Sequence, residues 1–258
     1  MGRFVRLLWI VAFAIGGEAA AANRDPAQIA AVDKAADAFA ALAKDAYKTG
    51  NPPRQSDPAA KELLDIIFGT AELNFGAATA PFEQIDGLND WASRVVATGM
   101  IYVFAGTGIA DMAKLQDINP TVPAQIAKNT VAFAPEIGRF FDAQLALSRA
   151  EIDTVAAEIA AHPDKFQSSG AAAGLARMRA GVTQTLVGVV TTFPVPGLET
   201  GWMRERELAL VAIAPSAARF LDADARTQIH DAALKVAETM SDQAVKDGLI
   251  AFAKTISP

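Results

Sequence analysis

The sequence predicts an all-α protein, a helical bundle of about eight or nine helices. Ala supplies 56 of the 258 residues, and Ala loses no side-chain entropy when it enters a helix. Apolar residues also recur at spacings of three and four between Pro and Gly signals, which is typical of amphipathic helices. No segment shows the alternation of apolar and polar residues that a half-buried strand requires.

Residues 1–22 are predicted to be a secretory signal peptide. Arg3 and Arg6 precede an uninterrupted apolar run at 7–17, and small residues follow at 19–22, in the order of a cleavable signal. The run is shorter than the roughly 20 residues of a transmembrane helix, so we expect cleavage after Ala22; a retained N-terminal anchor is the alternative. Because the chain has no Cys, a periplasmic or secreted bacterial location is favoured over an animal secretory pathway.

Residues 23–80 are predicted to form an N-terminal helical hairpin. Its helices start at two Asp-Pro pairs, at Asp25 and Asp57, where Asp is typical of an N-cap and Pro of the first turn. A further helix is predicted at 89–104 and ends before Gly106. It overlaps a stretch without charges at 95–110, and a second uncharged helix is predicted at 180–192. Helices without charged residues belong in the core.

The second half of the chain contains several candidate helix starts. Ser148 and Glu151 have the spacing of a capping box and predict that a new helix starts there and ends at His162. Further caps are predicted at Ser168 or Ser169, Thr200 and Ser241. Another helix is predicted from near Asp224 to Met240, and the last helix ends near 256. Pro215 is expected to interrupt the helix that starts at Thr200.

An internal repeat is the most specific pattern in the sequence. Residues 131–143 and 211–223 share Val, Pro, Arg, Phe and Asp at an offset of 80. The match predicts a pseudo-duplicated three-helix unit, with copies at 81–165 and 166–258, the second copy including a C-terminal helix. Each copy should contain a helix that is kinked or started by its Pro.

The repeated Arg residues have two interpretations. In the first, Arg139 pairs with Asp142 and Arg219 with Asp222, three residues apart on one helix face. In the second, the two Arg side chains converge on an anionic ligand. Both positions are therefore candidate ligand-binding residues.

The densest charge run, at 202–207, supplies the other candidates: Trp202, Arg204 and Arg206. One interpretation is a solvated helix face with Trp202 packed underneath. The other is an enzyme site, in which Glu205 or Glu207 is held by an Arg in a cleft closed by the loop at 193–197.

Several functions are excluded or disfavoured by what the sequence lacks. It has none of the nucleophile, phosphate-binding or dinucleotide-binding motifs, and two His and no Cys leave little for a metal site, so no cofactor and no metal are expected. The net charge of −6 argues against nucleic acid as a partner.

The sequence therefore predicts an exported soluble helical protein, acidic and non-enzymatic. It would bind a partner protein or a small apolar or anionic ligand, and it would have no stable membrane span after signal cleavage. An enzyme with a site near 202–207 and a structural envelope protein without a ligand are the alternatives.

Overall fold

A computed structural model of the chain describes residues 26–70, 85–110 and 121–258. The described residues form α-helices and no strand, which confirms the all-α prediction. The predicted signal peptide and the N-cap at Asp25 lie outside these residues. The helices are α1 (Pro26–Leu42), α2 (Ala46–Thr49), α3 (Pro58–Ile67), α4 (Ile85–Val103), α5 (Thr121–Ala132), α6 (Ala134–Ala161), α7 (Ser169–Thr192), α8 (Thr200–Phe220), α9 (Ala223–Ala237) and α10 (Gln243–Ile256).

In the described part of the predicted N-terminal hairpin, α3 packs on α1, while the limits 23–80 stay a prediction. The connecting loop of the hairpin lies against the turn that ends α4. Gly50 and Gly106 both have positive φ angles, 75° and 71°, and a Cβ on Gly106 would lie 3.2 Å from the Cα of Gly50. The N–H of Gly106 donates to the carbonyl of Ala46 at 3.0 Å. The predicted Gly break after α4 is therefore confirmed, and the close approach explains it.

Most of the two uncharged segments lies in the core, as expected, but Gly106, Gly108 and Ala110 at the end of the first segment are exposed. In α4, Val95 and Tyr102 are fully buried, and the ring of Tyr102 contacts Phe133 while Gly99 lies against Phe140. These contacts run in opposite order along the two helices, so α4 is antiparallel to α6. In α7 the segment 186–190 is almost wholly buried.

The C-terminal helices pack on one another and meet the rest of the protein through one main contact. Helix α10 packs on α8 and α9, and α9 packs on α7. Helix α8 packs on α6. We call the contact between α6 and α8 the seam, because it is the largest contact between α1–α6 and α7–α10.

Ser148 does not start a helix, so the predicted capping box is wrong. Helix α6 runs without interruption from Ala134 to Ala161. The neighbouring Leu147 and Ile152 are 1% exposed, and a continuous helix keeps both in the core. Glu151, the expected capping carboxylate, is itself buried.

The other caps follow the prediction in part. Ser168 is the N-cap of α7, and its hydroxyl accepts from the N–H of Ala171. Thr200 is the first residue of α8 rather than its cap, which is Glu199. Helix α10 is capped by the carboxylate of Asp242 rather than by Ser241.

The two Pro residues of the repeat differ in position. Pro135 lies in the first turn of α6, whereas Pro215 lies inside α8, which continues to Phe220. The expected interruption at Pro215 is therefore wrong. The limits of the two units, 81–165 and 166–258, stay a prediction.

No helix within the described ranges is long and apolar enough to cross a membrane.

Candidate functional site

Two of the five candidate residues, Trp202 and Arg206 of α8, contact α6 at the seam. The indole Nε1 of Trp202 donates to the carbonyl of Ala134 at 2.7 Å, and Arg206 binds Asp142. Ala134 thus faces Trp202 and Asp142 faces Arg206, so the two helices run parallel. A Cβ on Gly138 would lie 2.8 Å from both side chains, so this Gly lets α8 approach closely.

Arg206 is a buried cation with a nearly complete set of partners. Its side chain is 5% exposed. One terminal nitrogen donates to Asp142, and the other donates to Glu205 at 2.6 Å and to the carbonyl of Trp202 at 3.1 Å. The guanidinium carbon also lies 5.0 Å from the centre of the Trp202 ring, a cation–π contact. Only Nε has no partner, so Arg206 has little capacity left for an anionic ligand.

A groove of about 400 Å³ opens beside this cluster, between α6 and α8. We call it the seam groove. Its floor is apolar and consists largely of small side chains, its carboxylates lie at one end, and a second Arg lies towards the other. The lining residues are Asp142, Leu145, Ala146, Arg149, Glu205, Ala209, Ala212 and Ile213.

The carboxylate end of the seam groove carries excess negative charge. Asp142 and Glu205 share the single positive charge of Arg206, and each gives it one oxygen. Their side chains are 44% and 69% exposed, and among the described residues the second oxygen of each accepts no hydrogen bond. Burial raises the pKa of Asp142, and the nearby Arg206 opposes that rise. Arg149, at the other end, lies 3.7 Å from Asp153.

The enzyme interpretation allows two carboxylate–Arg pairs, and both form: Glu205 with Arg206 at the seam groove, and Glu207 with Arg204 outside it. The side chain of Glu207 is 3% exposed and binds Arg204. Arg204 also donates to the carbonyl of Ala244 at 3.0 Å, and the carboxylate lies so close to Gly248 that a Cβ there would clash with it. Burial raises the pKa of Glu207, against the effect of Arg204. The pair fixes α8 to α10 and does not line the seam groove.

A second cavity of about 180 Å³ lies beside the loop at 193–197, where the enzyme interpretation places its cleft. Neither Glu205 nor Glu207 lines it. Its lining comes from this loop, from Met203 and from the connection between α9 and α10: Phe193, Pro194, Val195, Met203, Thr239, Met240, Ser241 and Asp242.

The local ion pairs expected for the repeated Arg residues do not form. Arg139 binds Asp65 of α3 at 2.8 Å and donates to the carbonyl of Leu64, while Asp142 binds Arg206. Residues three apart on a helix point in directions that differ by roughly 60°, and here the two directions meet different helices.

The expected pair of Arg219 with Asp222 in the second copy does not form either. Arg219 is exposed, and Asp222 caps α9 by accepting from the N–H of Ala225 at 2.9 Å. Arg139, Arg204 and Arg206 therefore contact α3, α10 and α6 respectively, and the predicted Arg residues do not converge on one ligand.

The charge run at 202–207 is only partly the solvated face that one interpretation predicts. Trp202 is buried as expected, but Arg206 and Glu207 are also buried. A signal for this was present in the sequence, since Trp202, Arg206, Ala209 and Ile213 follow one another at spacings of four, three and four, on one helix face. On the side of the groove formed by α6, the sequence analysis named Asp142, but as a partner of Arg139, and it missed Leu145, Ala146 and Arg149.

Two buried carboxylates on α6 lie outside the groove. Glu136 is fully buried and accepts from Arg54 at 3.1 Å and from the N–H of Gln55 at 2.9 Å. Glu151 is 6% exposed, and its Oε1 has no partner. Burial raises the pKa of Glu151 to about 8.

Within the described residues, no three His, Asp or Glu side chains are grouped to hold a metal ion. Comparison of the chain with protein-family models, with curated proteins and with solved structures finds no match. The candidate functional site is therefore the seam groove, with the buried Arg206, the half-buried Asp142 and the exposed Glu205 at one end.

Proposed function

We propose that the chain is an exported, non-enzymatic binding protein whose ligand occupies the seam groove. The observation that carries this proposal is the groove itself, an apolar floor with a fixed charged cluster at one end. Its volume of about 400 Å³ lies within the about 300–1,000 Å³ of small-molecule sites, which combine an apolar lining with a few placed polar groups.

The arrangement of charge supports a ligand with an apolar body rather than an anion. The Arg residues that would hold an anion are bound to carboxylates or carbonyls, or lie outside the groove. An enzyme site receives less support, because neither carboxylate lines the cavity beside the loop at 193–197: Glu207 lies in neither cavity, and Glu205 lines the seam groove instead. The export part of the proposal is supported by the residue pattern at 1–22.

Filling the groove tests the binding proposal. Ala209→Trp places a large side chain on the groove floor, and Ala156→Trp places the same side chain on an exposed part of α6. We expect the wild type and Ala156→Trp to bind the neutral fluorescent probe N-phenyl-1-naphthylamine with one site per chain. Ala209→Trp should weaken that binding by at least about tenfold, which corresponds to about 1.4 kcal/mol.

Equal probe binding by Ala209→Trp and Ala156→Trp would contradict the proposal, provided that both variants melt within a few degrees of the wild type.

Export is tested separately by sequencing the N-terminus of protein purified from its own host. We expect Asn23 within two residues, and a soluble protein that retains Met1 would contradict export.

A further inference from the structure

We infer that the seam groove selects a cationic amphiphile: an ammonium group bound at Asp142 and Glu205, with an apolar chain lying along the groove floor. The inference rests on the proposed function and adds the chemical class of the ligand.

The end of the groove at Asp142 and Glu205 carries a net negative charge. Two carboxylates face one guanidinium, so the end keeps one uncompensated negative charge. Arg206 is 5% exposed and held by Asp142, Glu205 and Trp202, so it stays in place when a ligand enters. A ligand cation completes the charge balance, whereas an anion at the same place would meet both carboxylates.

The two carboxylates at this end of the groove can still accept hydrogen bonds from a ligand. Asp142 and Glu205 each use one oxygen on Arg206 and keep the other oxygen without a donor among the described residues. A primary ammonium carries three N–H donors and no acceptor, so it can bind both free oxygens. Burial raises the pKa of Asp142, and a cation next to that carboxylate would favour its ionised form.

The apolar floor of the groove is long and narrow. Along α8 the groove extends from Glu205 to Ile213, eight residues or about 12 Å at 1.5 Å per residue. Ala146, Ala209 and Ala212 form a shallow floor suited to a chain one alkyl group wide. Five apolar residues line the groove, far fewer than the about 20–30 residues a side of a stable protein interface, which favours a small molecule over a partner protein.

Three unbranched eight-carbon probes with different head groups test the inference: octylammonium, octanol and octanoate, titrated by calorimetry and followed by NMR at fixed ionic strength. We expect octylammonium to bind most tightly and octanoate least tightly. Raising the salt concentration should weaken binding of octylammonium but not of octanol, because only the ion contact is screened.

Glu205→Gln removes one ligand carboxylate and leaves Asp142 on Arg206. We expect it to weaken octylammonium binding roughly fivefold and to leave octanol binding unchanged. Glu238→Gln makes the same charge change at the exposed C-cap of α9 and should leave both affinities unchanged. If Glu205→Gln fails to fold, the salt dependence of the wild type decides the question.

The outcomes separate the two proposals. Equal binding of octylammonium and octanol, both lost in Ala209→Trp, would overturn the cationic ligand class and keep the groove as the binding site. Tightest binding of octanoate would also overturn the class. Binding of all three probes that Ala209→Trp leaves unchanged would overturn both the ligand class and the proposed function.

Discussion

Residues 131–143 and 211–223 share a sequence motif but not a structural role. In the first copy, Pro135 lies in the first turn of α6 and Phe140 lies in the middle of the core. In the second copy, Pro215 lies inside α8 and Phe220 is the last residue of that helix. The motif therefore starts a helix in one place and ends one in the other.

The polar residues of the motif differ in the same way. Arg139 reaches α3 and Asp142 reaches α8, because helix α6 has neighbours on both sides. Arg219 is exposed and Asp222 caps α9, because α8 ends there. The comparison teaches that the motif encodes helical character, while the surrounding helices decide which partners its side chains find.

The largest expected difference between the copies comes from Glu151 and Asp231, which occupy matching positions at the offset of 80. The pKa of Glu151 is about 8 in the folded protein, against 4.5 as its ordinary value. Because the folded pKa is raised, its contribution to stability is complete below about pH 4.5 and is lost as the pH rises through 8. The free energy of unfolding should fall over that range by up to about 5 kcal/mol.

Glu151→Gln should remove this pH dependence, which is measured from urea unfolding at a series of pH values. Asp231→Asn is the matched control, since the side chain of Asp231 is 72% exposed, and it should keep the slope of the wild type. If the full wild-type slope survived in Glu151→Gln, other carboxylates would be its cause and the raised pKa of Glu151 would be contradicted.

The two Phe residues of the motif give the next effect. Phe140 is 0% exposed, and its ring contacts Phe68 and Phe141. Phe220 is 4% exposed and lies under the guanidinium of Arg179. We expect Phe140→Ala to lower the free energy of unfolding by about 4 kcal/mol and Phe220→Ala by about 3 kcal/mol, because a helix end collapses more easily onto a cavity.

The measurement for both Phe variants is the urea midpoint and slope at one pH. A larger loss in Phe220→Ala than in Phe140→Ala would mean that the second copy, not the first, holds the core together.

The two Pro residues should respond with opposite signs. Pro215 lies inside α8 and is exposed, so Pro215→Ala restores an N–H for the carbonyl of Val211 and removes the clash with it. We expect a gain of about 1–2 kcal/mol. Pro135→Ala should lose less than about 1 kcal/mol, because Pro is favourable in a first turn. Melting temperatures of the two variants check the sign, and destabilisation by Pro215→Ala would mean that core packing depends on the Pro geometry.

Replacing Arg139 or Arg219 should give the smallest difference in the free energy of unfolding between the copies. The structure predicts unequal losses, whereas the repeat in the sequence predicts equal ones. Equivalent copies would lose similar stability on removal of Arg139 or Arg219. The structure instead predicts a loss of about 1 kcal/mol for Arg139→Ala, whose side chain is 28% exposed and bound to Asp65, and less than about 0.5 kcal/mol for Arg219→Ala.

Asp65→Asn separates the ion pair from the packing of Arg139 on Phe68. The hydrogen bond from Lys61, more than that from Arg139, lowers the pKa of Asp65, so part of any effect belongs to Lys61. Equal losses in Arg139→Ala and Arg219→Ala would restore the equivalence of the copies.

The features that the sequence predicted correctly are local. The αα-hairpin, the Gly break after α4, the cap at Ser168 and the buried uncharged segments each depend on a few neighbouring residues. The failures at Ser148 and Pro215 show the limit of such signals. Ser148 and its neighbours give the same local sequence signal whether a helix starts there or continues. The burial of Leu147 and Ile152 against other helices determines that the helix continues.

The candidate site was predictable only on one side. The run at 202–207 drew attention to Trp202 and Arg206, but Asp142, one of the two carboxylates that Arg206 binds, is 64 residues earlier in the chain. No spacing rule connects residues at that distance. The seam groove depends on two helices running parallel after an intervening helix, and nothing in either helix alone specifies that arrangement.

The indole of Trp202 also gives the seam an optical signal. The chain has three Trp residues, at positions 9, 91 and 202. Trp91 donates to the carbonyl of Ile67 among the N-terminal helices, and Trp202 donates to Ala134 across the seam. With Trp9 and Trp91 replaced by Phe, emission would come from the seam alone. A red shift that precedes the loss of circular dichroism would show that α6 and α8 part while their helices are still intact.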